Sequence, residues 1–212
     1  SIFLDDHLIA VGQDLVTRYD IDGLHLDHIR YGDNSTSCDP VSEGRYGTDC
    51  FAEPGYISWQ RAQVNGTVRR FYEEVVPLKE GLWLSAAVWP IHELDSAWGF
   101  PGSPQQGNVH YYQDSKAWLA SGTIDSISPM IYPGSAYNGC DEEGNYEEDP
   151  SPSSSDYWIR SRWQTLVEDF QAARNGRYII PGIGTGYCSF AEIEARIEMA
   201  RTAGTAGHAL FS

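Results

Sequence analysis

The chain has 212 residues, enough for one domain with a sizeable core and few for two, so we treat residues 1–212 as one unit. Its 14 Lys and Arg residues stand against 30 Asp and Glu residues, a formal net charge of −16. That charge repels phosphate backbones and anionic lipid, and no run of about 18 apolar residues is present. We therefore expect neither nucleic acid nor a membrane as a partner.

Helical patterns alternate along the chain with short apolar runs typical of strands. The first segment spaces Leu4, Leu8, Val11 and Leu15 as a helix does, and strand-like runs then recur between helical patterns. The predicted strands cover residues 23–29, 82–88, 124–131, 178–183 and 208–212. This order favours an α/β fold with about five parallel strands and flanking helices, each strand followed by a helix.

The long polar loops all follow strands, whereas the connections from helix back to strand are short. Barrel enzymes show this asymmetry because the loops after the strands build the active site. We therefore predict a truncated TIM-type (β/α) barrel, a single partial domain. A closed barrel of this type needs about eight strands, so the first and last strands would have open edges. We expect a homodimer through these edges; the alternatives are completion by another fragment of the barrel and cover by the long loops.

The cysteines Cys38, Cys50, Cys140 and Cys188 all lie in predicted loops, and none forms a CxxC pair. We predict the disulfides Cys38–Cys50, within the first long loop, and Cys140–Cys188, between two loops at the same end of the barrel. Disulfides indicate an exported protein, extracellular or at the cell envelope, and four free thiols in a cytosolic protein are the alternative. The acidic loop from Asp141 to Asp149 is either solvated or holds calcium through its oxygens, and no other cofactor or metal is expected.

Asp27 is the strongest candidate for a catalytic residue. Strand alternation places His25 and Asp27 on one face and Leu24 and Leu26 on the other, so Asp27 faces the barrel axis at the carboxyl end of its strand. A carboxylate there is costly unless it is hydrogen-bonded, ion-paired or used in catalysis. The structural alternative is an ion pair with Arg30.

Hydrolysis of a glycosidic bond usually needs a second carboxyl group. Glu93 and Asp95 follow the second strand, and Asp114 precedes the third; each is otherwise a solvated loop charge or a carboxylate at a helix N-terminus. Aromatic residues make up 13% of the chain, and rings suit sugar faces as well as cores. The candidates for glycan contacts are Tyr31, Trp89, Trp98 and Tyr132, with His25 and Arg30 beside Asp27.

Four segments, DGLHLDHIRY, LSAAVW, YYQDSKAWLASGTIDSISPMIYP and GHALFS, resemble glycosyl-hydrolase-like family ten. The resemblance implies a (β/α)₈ barrel related to enzymes that act on polysaccharide, often at the cell envelope. It matches Asp27, with His25, Arg30 and Tyr31, and then Asp114, Met130 and Tyr132 to the family pattern. It starts at the helix before the family's fourth strand. Gly32 stands where a proline commonly follows IRY, so the loop over Asp27 differs from the pattern.

We therefore predict a glycoside hydrolase of poly- or oligosaccharide in which Asp27 works with Asp114 or Glu93. Two alternatives remain. One is a barrel remnant that binds glycan on Trp89, Trp98, Tyr31 and Tyr132 without cleaving it. The other is a hydrolase of a different bond, such as an ester, that uses the same cleft.

Overall fold

The computed structural model describes residues 2–33, 37–47, 49–50, 55–132, 140, 143, 145–147, 154, 156–186 and 188–212. Within them the fold is α/β, with parallel strands and flanking helices, as predicted. None of the described helices is both long enough and apolar enough to cross a membrane.

The elements alternate along the chain. The helices are α1 (Ile2–Arg18), α2 (Pro40–Tyr46), α3 (Tyr56–Glu74), α4 (Gly107–His110), α5 (Ser115–Ser121), α6 (Arg160–Ala172) and α7 (Phe190–Thr202). The strands are β1 (Gly23–Leu26), β2 (Trp83–Val88), β3 (Ser126–Pro129), β4 (Tyr178–Ile179), β5 (Gly182–Gly184) and β6 (Ala209–Phe211). Short 3₁₀ turns cover Val76–Leu78 and Ser96–Trp98.

The strands form a four-stranded parallel sheet, β1-β2-β3-β4, and a two-stranded parallel sheet, β5-β6. The prediction of about five strands in one sheet is therefore wrong at the predicted fourth strand, which divides into β4 and β5. Pro181 lies at the division and has no N–H for the ladder. Its carbonyl instead accepts a hydrogen bond from Ala209 N at 3.0 Å, so the chain leaves β3 and turns towards β6.

One face of the larger sheet packs against helices. Leu84, Ala86 and Val88 of β2 are buried, as is Ile127 of β3, and they share a core with Val68 of α3. A second core, around Trp158, Trp163, Leu166 and Ile183, joins α6 and α7 to β5. The strands are therefore buried on this side, as is usual for parallel strands covered by helices.

The opposite face is open to solvent and is polar and aromatic. Trp83 and Tyr178 are 39% and 45% exposed and stack with ring centroids 5.1 Å apart. Ser126 on β3 pairs in register with Tyr178 and accepts a hydrogen bond from Trp83 Nε1 at 2.9 Å. After β3, Tyr132 stacks on the half-exposed Phe211 of β6 with a centroid distance of 4.5 Å.

The predicted helix around residues 111–119 is two helices, α4 and α5. Tyr112 interrupts it with a φ of 51°, which an α-helix does not accept. Gly107, the first residue of α4, lies so close to Trp89 that an added Cβ would be 3.0 Å from Trp89 Cβ. This approach packs α4 against the loop that leaves β2.

Both predicted disulfides are confirmed in the structure. Cys38 and Cys50 have Cα atoms 6.0 Å apart, and the distance for Cys140 and Cys188 is 5.6 Å. Most of the predicted calcium loop, Asp141 to Asp149, lies outside the described residues.

Candidate active site

Asp27 directly follows β1, at the carboxyl end of the sheet. Its side chain is 59% exposed, and its Oδ2 lies 3.9 Å from His28 Nε2. Its other oxygen accepts a hydrogen bond from the backbone N–H of His28 at 2.8 Å. No ion pair joins Asp27 to Arg30 in the described part of the chain. Most of this carboxylate is therefore accessible to a ligand.

His25 lies two residues before Asp27, and its Nδ1 is 2.8 Å from Ser85 Oγ on β2. The Ser85 hydroxyl also lies 3.3 Å from Leu24 O, to which it can donate. These contacts hold the imidazole against β2 on the exposed side of β1.

Arg30 and Trp89 come together beyond the ends of β1 and β2, and Tyr111 joins them. The Trp89 and Tyr111 rings lie 4.2 Å apart, and Arg30 Cζ is 5.6 Å and 5.9 Å from their centroids. Trp89 Nε1 donates to Gln105 O at 2.8 Å, which fixes the indole. Burial raises the pKa of Tyr111, so its hydroxyl remains neutral. Tyr111 was not among the predicted site residues.

Gln113 fixes the positions of the two strand ends. Its side-chain amide donates to Ile29 O at 3.2 Å and Ala87 O at 3.3 Å, and its Oε1 accepts from Trp89 N at 2.7 Å. The side chain is 1% exposed, so these bonds replace water entirely. Tyr31 N donates to Tyr111 O at 3.0 Å beside it. Sequence reasoning noticed the adjacent Asp114 and missed Gln113, although both belong to the same YQD segment.

The predicted second carboxylates, Glu93 and Asp114, lie near each other around His92. Asp114 caps α5, accepting from Ala117 N at 3.3 Å, and its Oδ1 lies 3.7 Å from His92 Nε2. Glu93 accepts a hydrogen bond from the Asn108 amide. Burial lowers the pKa of His92, and the charge of Asp114 opposes that shift. Among the described residues, neither carboxylate shares a hydrogen bond or ion pair with Asp27.

Glu93 also lines a cavity of about 420 Å³ against α6, with Trp98 and Asp95. Lys116 and Asp169 form part of its wall and pair at 2.7 Å. Trp98, a predicted glycan contact, lies here beside Phe100 rather than with Arg30 and Trp89.

A larger cavity of about 630 Å³ lies between α1, α3 and the loop after β1. Arg30 and Tyr31 form its inner wall, and Arg45 and Trp59 form part of its outer wall. His28, the neighbour of Asp27, also lines it. We call it the β1-loop cavity.

The donor set with metal-binding spacing in the described chain does not suit a metal. Cys38, Glu43, Asp49 and Cys50 bring ligand atoms within 4.8 Å of one another. However, both sulfurs are bonded in a disulfide, which removes the thiolates that a zinc-type site needs.

Known proteins match most of this chain. Glycosyl hydrolase YngK of Bacillus subtilis is 27% identical over 143 residues, which are 60% of this chain and 26% of that protein. Glycosyl hydrolase DigH of Escherichia coli strain K12 is 26% identical over 137 residues, 61% of this chain and 30% of DigH. The chain thus spans less than a third of these relatives. The family described as glycosyl hydrolase-like 10 matches residues 4–151. Because that match covers more than half of the 212 residues, the chain belongs to the glycosyl hydrolase-like 10 family.

Proposed function

We propose that this chain is part of a glycoside hydrolase barrel acting on a poly- or oligosaccharide, with Asp27 as its catalytic nucleophile or base. The observation that carries the proposal is the position of Asp27, an accessible carboxylate directly after β1 at the carboxyl end of a parallel sheet. Barrel enzymes place their catalytic groups at that end. The family to which the chain belongs is glycosyl hydrolase-like, and the aromatic pair Trp89 and Tyr111 lies at the ends of the same strands.

The second carboxyl group in this proposal is Glu93 or Asp114. Glu93 is the stronger of the two because its carboxylate lies in an open cavity, whereas Asp114 is engaged in capping α5. Glycosidases hold their two carboxyl groups roughly 5–10 Å apart across the scissile bond. The proposal therefore requires Glu93 and Asp27 to lie within that range of each other in the substrate complex.

Asp27→Asn tests the proposal because it removes the charge and keeps the shape. We expect the variant to fold and to lose hydrolysis by at least about a thousandfold, measured as reducing ends released from a panel of neutral and acidic oligosaccharides. Asp22→Asn is the matched control, since Asp22 is exposed at the other end of β1. Full turnover by folded Asp27→Asn would refute the role of Asp27.

A non-catalytic glycan-binding module is the second candidate. It is favoured by the engagement of both candidate second carboxylates within the protein, since Glu93 accepts from the Asn108 amide and Asp114 caps α5. This reading predicts that the wild-type chain binds oligosaccharides and cleaves none of them. Binding titrations run beside the hydrolysis assay separate the two candidates.

The proposed barrel leaves sheet edges to be covered. Within the described residues, β1 and β4 end the four-stranded sheet and β5 and β6 form the two-stranded sheet, so each of these strands pairs on one side only. Leu210 and Phe211 of β6 are 59% and 50% exposed. We propose that a second copy covers these edges, with further barrel strands as the alternative occupant. Light scattering at several concentrations should show a dimer, and a strictly monomeric mass would refute self-association.

The two disulfides are compatible with the export that we propose for the protein.

A further inference from the structure

We propose that the β1-loop cavity binds a carboxylate of an acidic saccharide, such as a uronic acid residue, through Arg30 and Arg45. The inference rests on the proposed function, because it names the substrate class that the Asp27 site would act on.

The two arginines lack carboxylate partners. The guanidinium of Arg30 makes no hydrogen bond or ion pair within the described residues, and its Nη1 is buried without a partner. It lies over the faces of Trp89 and Tyr111. Arg45 donates from Nη2 to the neutral amide of Gln63 at 2.7 Å and lies over Trp59.

Several cations elsewhere in this acidic chain pair with carboxylates. Arg70 bonds to Asp6 at 2.8 Å and to Glu74 at 2.6 Å, and Lys79 pairs with Asp20 at 2.7 Å. Arg30 and Arg45 have no such partner and line the same cavity, so both are available to bind an anion supplied from outside.

The acids of the cavity are already engaged within the protein. Asp39 accepts from the backbone N–H groups of Val41 and Ser42 at 2.9 Å and 3.1 Å, and from Ser42 Oγ at 3.0 Å. Asp5 accepts from Thr67 Oγ1 at 3.0 Å. These bonds hold the two carboxylates in the walls, which leaves the guanidinium donors as the groups open to a ligand.

The size and lining fit one or two sugar rings. A volume of about 630 Å³ lies within the usual range for small-molecule sites, roughly 300–1,000 Å³. Leu8, Tyr31 and Trp59 offer apolar surface for the C–H faces of a sugar. Arginine binds carboxylates in a bidentate manner, which a neutral sugar cannot reproduce. Because His28 lines the cavity and directly follows Asp27 in the sequence, the cavity lies next to Asp27.

The net charge of −16 does not exclude an acidic ligand. It repels such a ligand at long range, but at physiological ionic strength exposed charges are largely screened beyond about 8 Å. Inside the cavity, Arg30 and Arg45 offer charged hydrogen-bond donors to a carboxylate, beside the carboxylates of Asp5 and Asp39 that are bonded within the walls.

The test is a calorimetric titration of the chain with trigalacturonate and with its fully methyl-esterified form, at pH 7 and physiological salt. We expect the acid to bind at least about tenfold more tightly than the ester, since a charge-assisted hydrogen bond accounts for that much. Arg30→Gln and Arg45→Gln should each weaken binding of the acid about tenfold. The control Arg69→Gln, an exposed position on α3 outside the cavity, should stay within about twofold.

Equal binding of acid and ester, no binding of either, or unchanged binding by both arginine variants would each overturn the inference. Inorganic phosphate that binds as tightly as trigalacturonate would also overturn it, because the site would then recognise an anion rather than a sugar. Circular dichroism checks that the variants fold. The titration measures binding at this site and the reducing-end assay on Asp27→Asn measures hydrolysis, so a failure of the proposed function is distinguishable from a failure of this site.

Discussion

Charged side chains between α6 and α7 are buried and paired, whereas those at the end of β1 are exposed or lack a carboxylate partner within the described residues. Between α6 and α7, Arg196 and Glu192 have side chains only 0% and 2% exposed and bond to each other at 2.7 Å. Arg160 bonds to the same Glu192, and Arg196 lies 4.4 Å from the Trp158 ring. At the end of β1, Asp27 is 59% exposed and Arg30 has no carboxylate partner in the described structure.

The difference separates charges that hold the fold from charges that are open to a ligand. A buried ion must find its partners inside the protein, because the lost hydration is costly. Burial lowers the pKa of Arg196 to about 10, with Glu192 opposing the shift, so Arg196 stays protonated at neutral pH. An exposed carboxylate keeps its hydration and places no such demand on the fold. Substitutions should therefore affect stability in the first region and ligand binding or hydrolysis in the second.

Glu192→Ala should cause the largest loss of stability, because it leaves Arg196 as an uncompensated buried charge. We expect the free energy of unfolding to fall by about 3–5 kcal/mol. Urea denaturation monitored by tryptophan fluorescence measures this. Glu194→Ala, an exposed position on the same helix, is the control and should change stability by less than about 0.5 kcal/mol. Equal effects of the two substitutions would contradict the contrast between the regions.

The disulfides divide between the same two regions. The disulfide Cys140–Cys188 lies near the buried charges. Cys140 forms an isolated antiparallel β-bridge with Tyr146, and the Tyr146 ring lies 5.4 Å from the Arg196 guanidinium. Cys140–Cys188 spans 48 residues, and Cys38–Cys50 spans 12. Chain-entropy reasoning gives a stabilisation of about 4 kcal/mol for the longer loop and about 3 kcal/mol for the shorter one.

We therefore expect the double variant Cys140→Ser/Cys188→Ser to unfold at lower urea than Cys38→Ser/Cys50→Ser. The second variant should instead lose affinity for trigalacturonate, because its loop carries Arg45 into the β1-loop cavity. Denaturation and titration on both variants check this. The reverse assignment of the two effects would show that the regions are not separated in this way.

Patterns local in sequence predicted much of the fold, and contacts distant in sequence were missed. Strand alternation and the following polar loop were enough to place Asp27 at the end of β1. The cysteine pairings followed from loops at one end of the proposed barrel. By contrast, Gln113 Nε2 bonds to Ile29 O across 84 residues, and no local pattern marks that contact. The contacts of Arg45 on α2 with Gln63 and Trp59 on α3 likewise cannot be predicted from a local pattern. The break at Pro181 was foreseeable, since a proline inside a predicted strand removes a ladder donor.

Gln113→Met tests whether the strand ends depend on one buried amide. Methionine keeps the length of the side chain but leaves Trp89 N and two backbone carbonyls without their partner. We expect a loss of about 2 kcal/mol, within the range for unsatisfied buried groups. Chemical denaturation measures it, and Gln164→Met on the exposed face of α6 is the control. A loss no larger than the control's would mean that other contacts hold the strand ends.

His92 lies between the two extremes, and its substitution should have the smallest effect, one confined to acid. The imidazole is buried, and its Nδ1 has no partner among the described residues. Burial lowers its pKa below the ordinary value of 6.5, opposed by the carboxylates of Asp114, Glu93 and Asp169. Below about pH 6.5 the unfolded chain therefore takes up a proton that the folded chain does not, so folding is disfavoured as the pH falls.

His92→Gln should show a shallower loss of melting temperature between pH 7.5 and pH 5 than the wild type. His28→Gln, whose ring is 78% exposed in the native protein, should keep the wild-type slope. A His92→Gln slope as steep as that of the wild type would mean that the nearby carboxylates fully compensate the burial, and that His92 belongs with the paired charges rather than between the two regions.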